Sequence, residues 1–264
     1  MVDSLGSLKD DMRLALDLVE FARSLGLEPD PWQADLLGST SKRVLMNVSR
    51  QAGKSTVAAV LALHRALYHP KSLVLCLAPA LRQSQELFAK IAGFYGTLGE
   101  PMRAYAERRL SLELTNGSRI VTLPGSERTV RGFSGVATLL LDEASRVDDD
   151  LYYALRPMLA VSGGTLILLS TPYGRRGAFF EEWINGTGWD KYEVPATECP
   201  RISDSFLEEE RRTHHPFWFR QEYLCSFEEA EGAFFSGEMV DQALTLKDLG
   251  ETPLFPEACI QEAS

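Results

Sequence analysis

Two short clusters place chemistry-bearing residues at informative spacing. Ser49-Arg50-Gln51-Ala52-Gly53-Lys54-Ser55, with Thr56 after it, joins the apolar run Arg43–Val48 to a helical pattern from Lys54 to about Tyr68. Gly-Lys-Ser at a strand-to-helix junction offers backbone N–H groups to phosphates at a helix N-terminus. In such a loop Lys54 reaches the β- and γ-phosphates and the Ser55 hydroxyl binds Mg²⁺. The full consensus wants Gly where this chain has Val48, so the match is a deviant one. The second cluster, Asp142-Glu143, ends the apolar run Leu139-Leu140-Leu141. There the aspartate holds Mg²⁺ through its hydration shell, and the glutamate polarises the attacking water. Loop and acids together predict nucleotide hydrolysis rather than phosphotransfer to a small molecule.

Other reactive side chains form no such constellation. Cys76, Cys199, Cys225 and Cys259 are far apart, which suits neither a zinc ribbon nor a disulfide framework. His214-His215 is the only histidine pair and reads as solvated residues before Pro216.

These sites need elements to hold them. Apolar residues from Leu5 to Leu25 recur at nearly helical spacing, predicting one amphipathic helix ended by Gly26. A turn at Pro29 and Pro31 precedes a second short helix around Trp32-Gln33. Strands are expected at 43–48, 72–77, 138–141 and 165–169, with a helix at about 82–94. Asn116-Gly117 between two apolar runs predicts a hairpin of 110–114 with 119–123. Continuous apolar runs indicate strands buried on both faces, and their alternation with helices indicates a parallel α/β sheet. Asp148-Asp149-Asp150 reads as a helix N-terminal acidic cluster. The domain reading is a core over 1–195, a small helical lid and linker over 196–246, and a tail over 247–264.

The 264 residues, with 45% hydrophobic and 24% charged, suffice for one large domain or one domain with an appendage. A formal net charge of −10 argues against a protein that coats nucleic acid by bulk electrostatics. No run of 18 apolar residues is present and the first 25 lack a basic region, so neither a membrane span nor a secretory signal is expected. The expectation is a soluble, reduced, intracellular protein.

In this order the motifs resemble the ATPase half of the large terminase of tailed bacteriophages, over roughly residues 28–240. Pro31-Trp32-Gln33 looks like the family's adenine motif, in which the Gln reads the adenine edge. The phosphate loop is similar to the family's, which carries Arg-Gln ahead of Gly-Lys and often lacks the first Gly. Ala78-Pro79 with Arg82-Gln83-Ser84 looks like a segment shared with helicase-type motors. Arg131-Gly132 matches the family's Arg-Gly proposed as a trans arginine finger, with Arg128 the alternative on the same loop. Ser170-Thr171-Pro172 resembles the motif that couples hydrolysis to movement, and 218–232 the helical lid.

The resemblance implies a P-loop NTPase of the additional-strand (RecA/helicase-like) type that uses ATP and Mg²⁺. It implies a motor that moves double-stranded DNA into a procapsid. Implied partners are the portal protein, the small terminase subunit and further copies of the chain. The copies would form a ring, a pentamer when assembled and monomers in isolation, in the host cytoplasm. The family's nuclease domain is not expected here; either this is an excised piece or the nuclease is a separate chain. Arg103, Arg108, Arg109, Arg119, Arg175 and Arg176 are candidate DNA contacts. Two alternatives stay open, a helicase-like remodelling ATPase and an ATP-binding assembly module with little turnover.

Overall fold

Four apolar strands explain the architecture. β1 (Arg43–Val48), β2 (Leu73–Ala78), β6 (Val136–Asp142) and β7 (Thr165–Ser170) are buried along nearly their whole length in the computed structural model. Alternate side chains enter opposite layers: Val44, Met46 and Val48 pack on one face of the sheet, Leu45 on the other. Strands wetted on neither face must be covered twice, which parallel crossovers accomplish. The structure describes residues 2–125, 130 and 132–229. Chain contacts gather residues 1–228 into one compact unit and 229–264 into another; the sheet belongs to the first. The expected tail, 247–264, lies outside the described residues, as does the lid and linker reading beyond 229.

With β8 (Asp190–Val194) at one edge, the described strands form one sheet of order β3-β4-β5-β2-β6-β7-β1-β8. β3 (Ala104–Arg108), β4 (Ser111–Leu114) and β5 (Arg119–Pro124) are joined antiparallel, and the remaining pairings are parallel. β7 separates β1 from β6, so an extra strand stands between the phosphate loop and the acidic strand end. One face is covered by α2 (Leu18–Ser24), α3 (Pro31–Gly38), α4 (Lys54–Tyr68) and α5 (Leu81–Thr97). The other carries α6 (Asp149–Leu155) and α7 (Gly177–Ile184). This is the expected mostly parallel α/β fold.

Several elements differ from the sequence expectation. The helix expected over 5–25 is two, α1 (Val2–Leu16) and α2, parted at Asp17. The Asp17 carboxylate accepts from Val19 N (2.9 Å) and Glu20 N (3.0 Å), so its side chain caps a new helix while the apolar spacing runs on. Gly26 (φ 78°) follows α2, as a helix C-terminus favours. β3 and β8 (Asp190–Val194) were not expected. Both are sheet-edge strands, short and charged, and so lack the apolar run that marks a central strand. Asp148 directly precedes α6, where acids favour the helix dipole. After Pro195 come α8 (Asp204–Thr213) and α9 (Pro216–Tyr223).

Candidate active site

The chemistry-bearing residues converge because they end adjacent parallel strands. β1 runs into the phosphate loop, β6 into Asp142-Glu143, and β7 into Ser170-Thr171. Ligands bind beyond the carboxyl ends of such strands.

The loop reaches its shape through two residues with positive φ, Gln51 (64°) and Gly53 (97°), and Gly53 caps α4. A Cβ at Gly53 would stand 2.8 Å from Gln33 Nε2 and 3.1 Å from Arg201 Nη2, both ends of flexible side chains that can shift, so it is the positive φ that calls for glycine. The start of the loop is anchored by backbone bonds, Ser49 N to the Val194 carbonyl (2.9 Å) and Arg50 N to the Glu222 carbonyl (3.0 Å). Glu222, on α9, also lies 3.6 Å from Arg50 Nη1 and 3.7 Å from Arg146 Nη2.

Lys54 is buried. Its Nζ donates to Thr171 Oγ1 (2.9 Å) and to the Val48 and Ser49 carbonyls (both 3.3 Å), and stands 3.9 Å from Glu143 Oε1. A buried ammonium held mainly by neutral oxygens, at the head of a helix, suits an incoming phosphate.

Ser55 Oγ donates to Asp142 Oδ2 (2.9 Å), joining loop and acidic strand across the sheet. Burial, and then the neighbouring Glu143 carboxylate, push the Asp142 carboxyl up to about 6, against the opposing pull of Ser55 and Lys54. A cation beside this pair would favour its ionised form. Among the described residues no cluster of three or more His, Cys, Asp or Glu could hold a metal alone. One hydroxyl and one carboxylate suit a Mg²⁺ that arrives with phosphates and keeps most of its water.

Glu143 follows in the left-handed region (φ 53°), its N–H donating to Asp142 Oδ1 (3.0 Å). This turn lets adjacent acids separate: Asp142 is buried, whereas Glu143 lines the cavity. Ser145 Oγ and Ser170 Oγ share a 2.6 Å hydrogen bond, and Ser145 Oγ donates to the Thr171 carbonyl (2.7 Å). Thus the turn after β7 is bonded both to the acidic strand end and to Lys54.

Beside these groups opens a cavity of about 500 Å³, lined by Gln33, Arg50, Gln51, Gly53, Lys54, Ser55, Thr56 and Glu143, among others. The remaining sequence candidates stand elsewhere. Ser49 and Ala52 belong to the loop but are fully buried and do not line the cavity, and the Trp32 ring packs against the helical layer. Arg131 and its alternative Arg128 lie outside the described residues. Glu28, Lys90 and Arg201 also line the cavity and were not anticipated. Arg201 enters on a segment remote in sequence and carries no local motif. The bond from Lys54 to Thr171 could have been suspected only by treating the turn after β7 as a neighbour of the phosphate loop.

The family model described as "Terminase large subunit, T4likevirus-type, N-terminal" matches residues 45–242. The large terminase subunit of Thermus virus P23-45 is 29% identical over 255 residues, covering 83% of this chain and 52% of that protein. That of Escherichia phage T5 is 28% identical over 212 residues, covering 76% and 48%. The chain thus spans about half the length of these curated relatives. Among solved structures, the large terminase ATPase domain of Thermus phage P74-26 superposes with a TM-score of 0.71 at 23% identity, covering 79% of this chain and 98% of that one. The large terminase of a thermophilic bacteriophage, solved in complex with ADP, gives 0.62 at 13% identity, covering 75% and 53%. These likenesses show a shared fold. With three quarters of its length inside the matched family model, the chain belongs to the family of terminase large subunit N-terminal domains.

Proposed function

We propose that this chain is the ATPase of a DNA-packaging motor, binding and hydrolysing ATP in the cavity beside Lys54 and Glu143. The observation that carries the reading is the convergence of Lys54, Ser55, Asp142 and Glu143 at one cavity edge, although loop and acids are 87 residues apart. The relatives' names, and the ADP bound in the thermophilic phage's terminase, support the nucleotide and the packaging role.

The backbone of residues 49–55 cradles phosphates, and Lys54 exchanges its bond with Thr171 for phosphate oxygens. Ser55 and Asp142 would hold Mg²⁺, which would neutralise charge on the phosphates. Glu143 orients and deprotonates the attacking water, and its separation from Asp142 leaves it free for that work. A module that only bound nucleotide would have no use for this carboxylate. Gln33 reads the base. Arg131, with Arg128 the alternative, is supplied by a neighbouring subunit, so that turnover requires assembly. The ring works with portal protein and small terminase subunit on double-stranded DNA, in the host cytoplasm.

The test is phosphate release against protein concentration for the wild type, Glu143→Ala and Arg131→Ala. A steep rise with self-association is expected for the wild type, with turnover lost in both variants. Full activity of Glu143→Ala would remove the hydrolytic reading of that residue. Normal turnover of assembled Arg131→Ala would transfer the finger to Arg128 or another group.

A further inference from the structure

The cavity wall contains a cation that none of the roles above uses. Arg201 lies between Pro195 and α8 and reaches back to two segments at once. Its Nη1 donates to Asp30 Oδ1 (2.9 Å), and its Nη2 lies 2.9 Å from Asp30 Oδ2. The same Nη2 donates to the Ala52 carbonyl (2.8 Å), inside the phosphate loop. Asp30 is only 8% exposed and immediately precedes α3, the helix that carries Gln33. Among the described residues Arg201 is the only basic partner of this buried carboxylate. Asp30 in turn pins Gln33: its backbone N–H donates to Gln33 Oε1 (2.9 Å). Gln33 Nε2 and Arg201 Nη2 both stand beside Gly53, 2.8 Å and 3.1 Å from where a Cβ on it would lie.

We infer that Arg201 is a positioning residue that sets the base preference of the site by fixing the orientation of the Gln33 amide. A carboxamide distinguishes bases only while its two ends are told apart. Adenine offers an amine donor beside the N7 acceptor, whereas guanine offers two acceptors, O6 and N7. With Oε1 held on the Asp30 N–H side, the amide presents donor and acceptor in one order. Without Arg201, Asp30 is an unpaired buried charge that must move toward water. When its N–H moves with it, the amide can turn over; adenine then loses its matched pair, whereas guanine, with two acceptors, meets one matched and one mismatched end in either orientation. The bond to Ala52 ties this base-side unit to the phosphate loop, so one planar guanidinium sets the spacing between the two ends of the nucleotide. Lysine can replace its charge but not its fork.

This inference rests on the nucleotide reading above, and the experiment separates the two. ADP and GDP affinities are measured by calorimetry with Mg²⁺ for the full chain, Arg201→Ala, Arg201→Lys, Asp30→Asn and the double variant Asp30→Asn/Arg201→Ala. The wild type is expected to prefer ADP by about tenfold or more, the scale of one well-placed pair of hydrogen bonds. Arg201→Ala is expected to lose most of that preference by weakening ADP while leaving GDP within about twofold. Arg201→Lys should restore a substantial part of it. The double variant should be no less selective than the worse single one, because the two residues act through each other. Should Arg201→Ala fail to fold, Arg201→Met, which keeps the aliphatic stem and equally leaves Asp30 unpaired, carries the comparison, with the same loss of preference expected. Equal weakening of ADP and GDP, or an unchanged ratio, overturns the inference, as does a wild type that binds both nucleotides alike. A wild type that binds neither nucleotide overturns the nucleotide reading itself.

Discussion

Glu143 owes its position to one unusual backbone turn. With φ at 53° it points away from the buried Asp142, and the two acids acquire different surroundings. Glu143→Gln is expected to lower turnover about 10²–10⁴-fold while nucleotide affinity stays within a few-fold. Phosphate release and a nucleotide titration on the same samples check this, and a parallel loss of both would assign the residue to binding instead. Gly53 is held to glycine by its φ, and a Cβ there would displace the ends of the Gln33 and Arg201 side chains. Gly53→Ala is therefore expected to cost about 1–3 kcal/mol of stability and to weaken nucleotide binding, read from urea midpoints and an ADP titration. The local motifs at Lys54, Ser55, Asp142 and Glu143 could be read in the sequence because each is defined by its immediate neighbours. Arg201 and the bond from Lys54 to Thr171 could not, because tertiary pairing alone brings them to the loop.

Among elements, the junction of α1, α2 and α4 is where the sequence pattern and the fold diverge. Hydrophobic spacing reports which face is buried, and that face continues across Asp17; a side chain capping its own backbone interrupts the helix without interrupting the spacing. Edge strands β3 and β8 escaped notice for the converse reason, since partial exposure removes the apolar run. At the same junction His64 is buried against Phe21 and Tyr68, and its Nε2 donates to the Leu14 carbonyl (3.1 Å). Burial lowers its pKa to about 4, with nearby His69 and Arg65 acting in the same direction and the Leu14 and Ala15 carbonyls opposing. The unfolded chain then binds the proton more readily than the native one. The contribution is intact above about pH 6.5 and is lost progressively as pH falls toward about 4, up to about 3 kcal/mol. His64→Leu should flatten this part of the pH dependence in urea titrations. An unchanged slope would place the proton uptake on other groups. Asp17→Ala should cost about 1 kcal/mol through the lost cap, measured in the same way.

At the scale of the molecule, the α/β class and the parallel core were legible because buried central strands announce themselves as uninterrupted apolar runs. The order of those strands was not, since no local signal states which run lies beside which. A subunit whose turnover depends on a neighbour should show specific activity that rises with concentration and falls on dilution, which sedimentation and phosphate release on the same dilution series can follow. Constant specific activity across monomer and assembly would argue for a self-sufficient site. Strand order also sets a timetable for synthesis. β1 lies between β7 and β8, so its partners arrive only with Leu166 and Asp190. While well over a hundred residues are being added, the strand that leads into the phosphate loop has no neighbour on either side. A nascent chain halted after β6 would expose that apolar ribbon and should be prone to aggregation and to capture by chaperones. The candidate site, begun early in translation with β1 and its loop, is closed only once β7 and β8 have emerged from the ribosome.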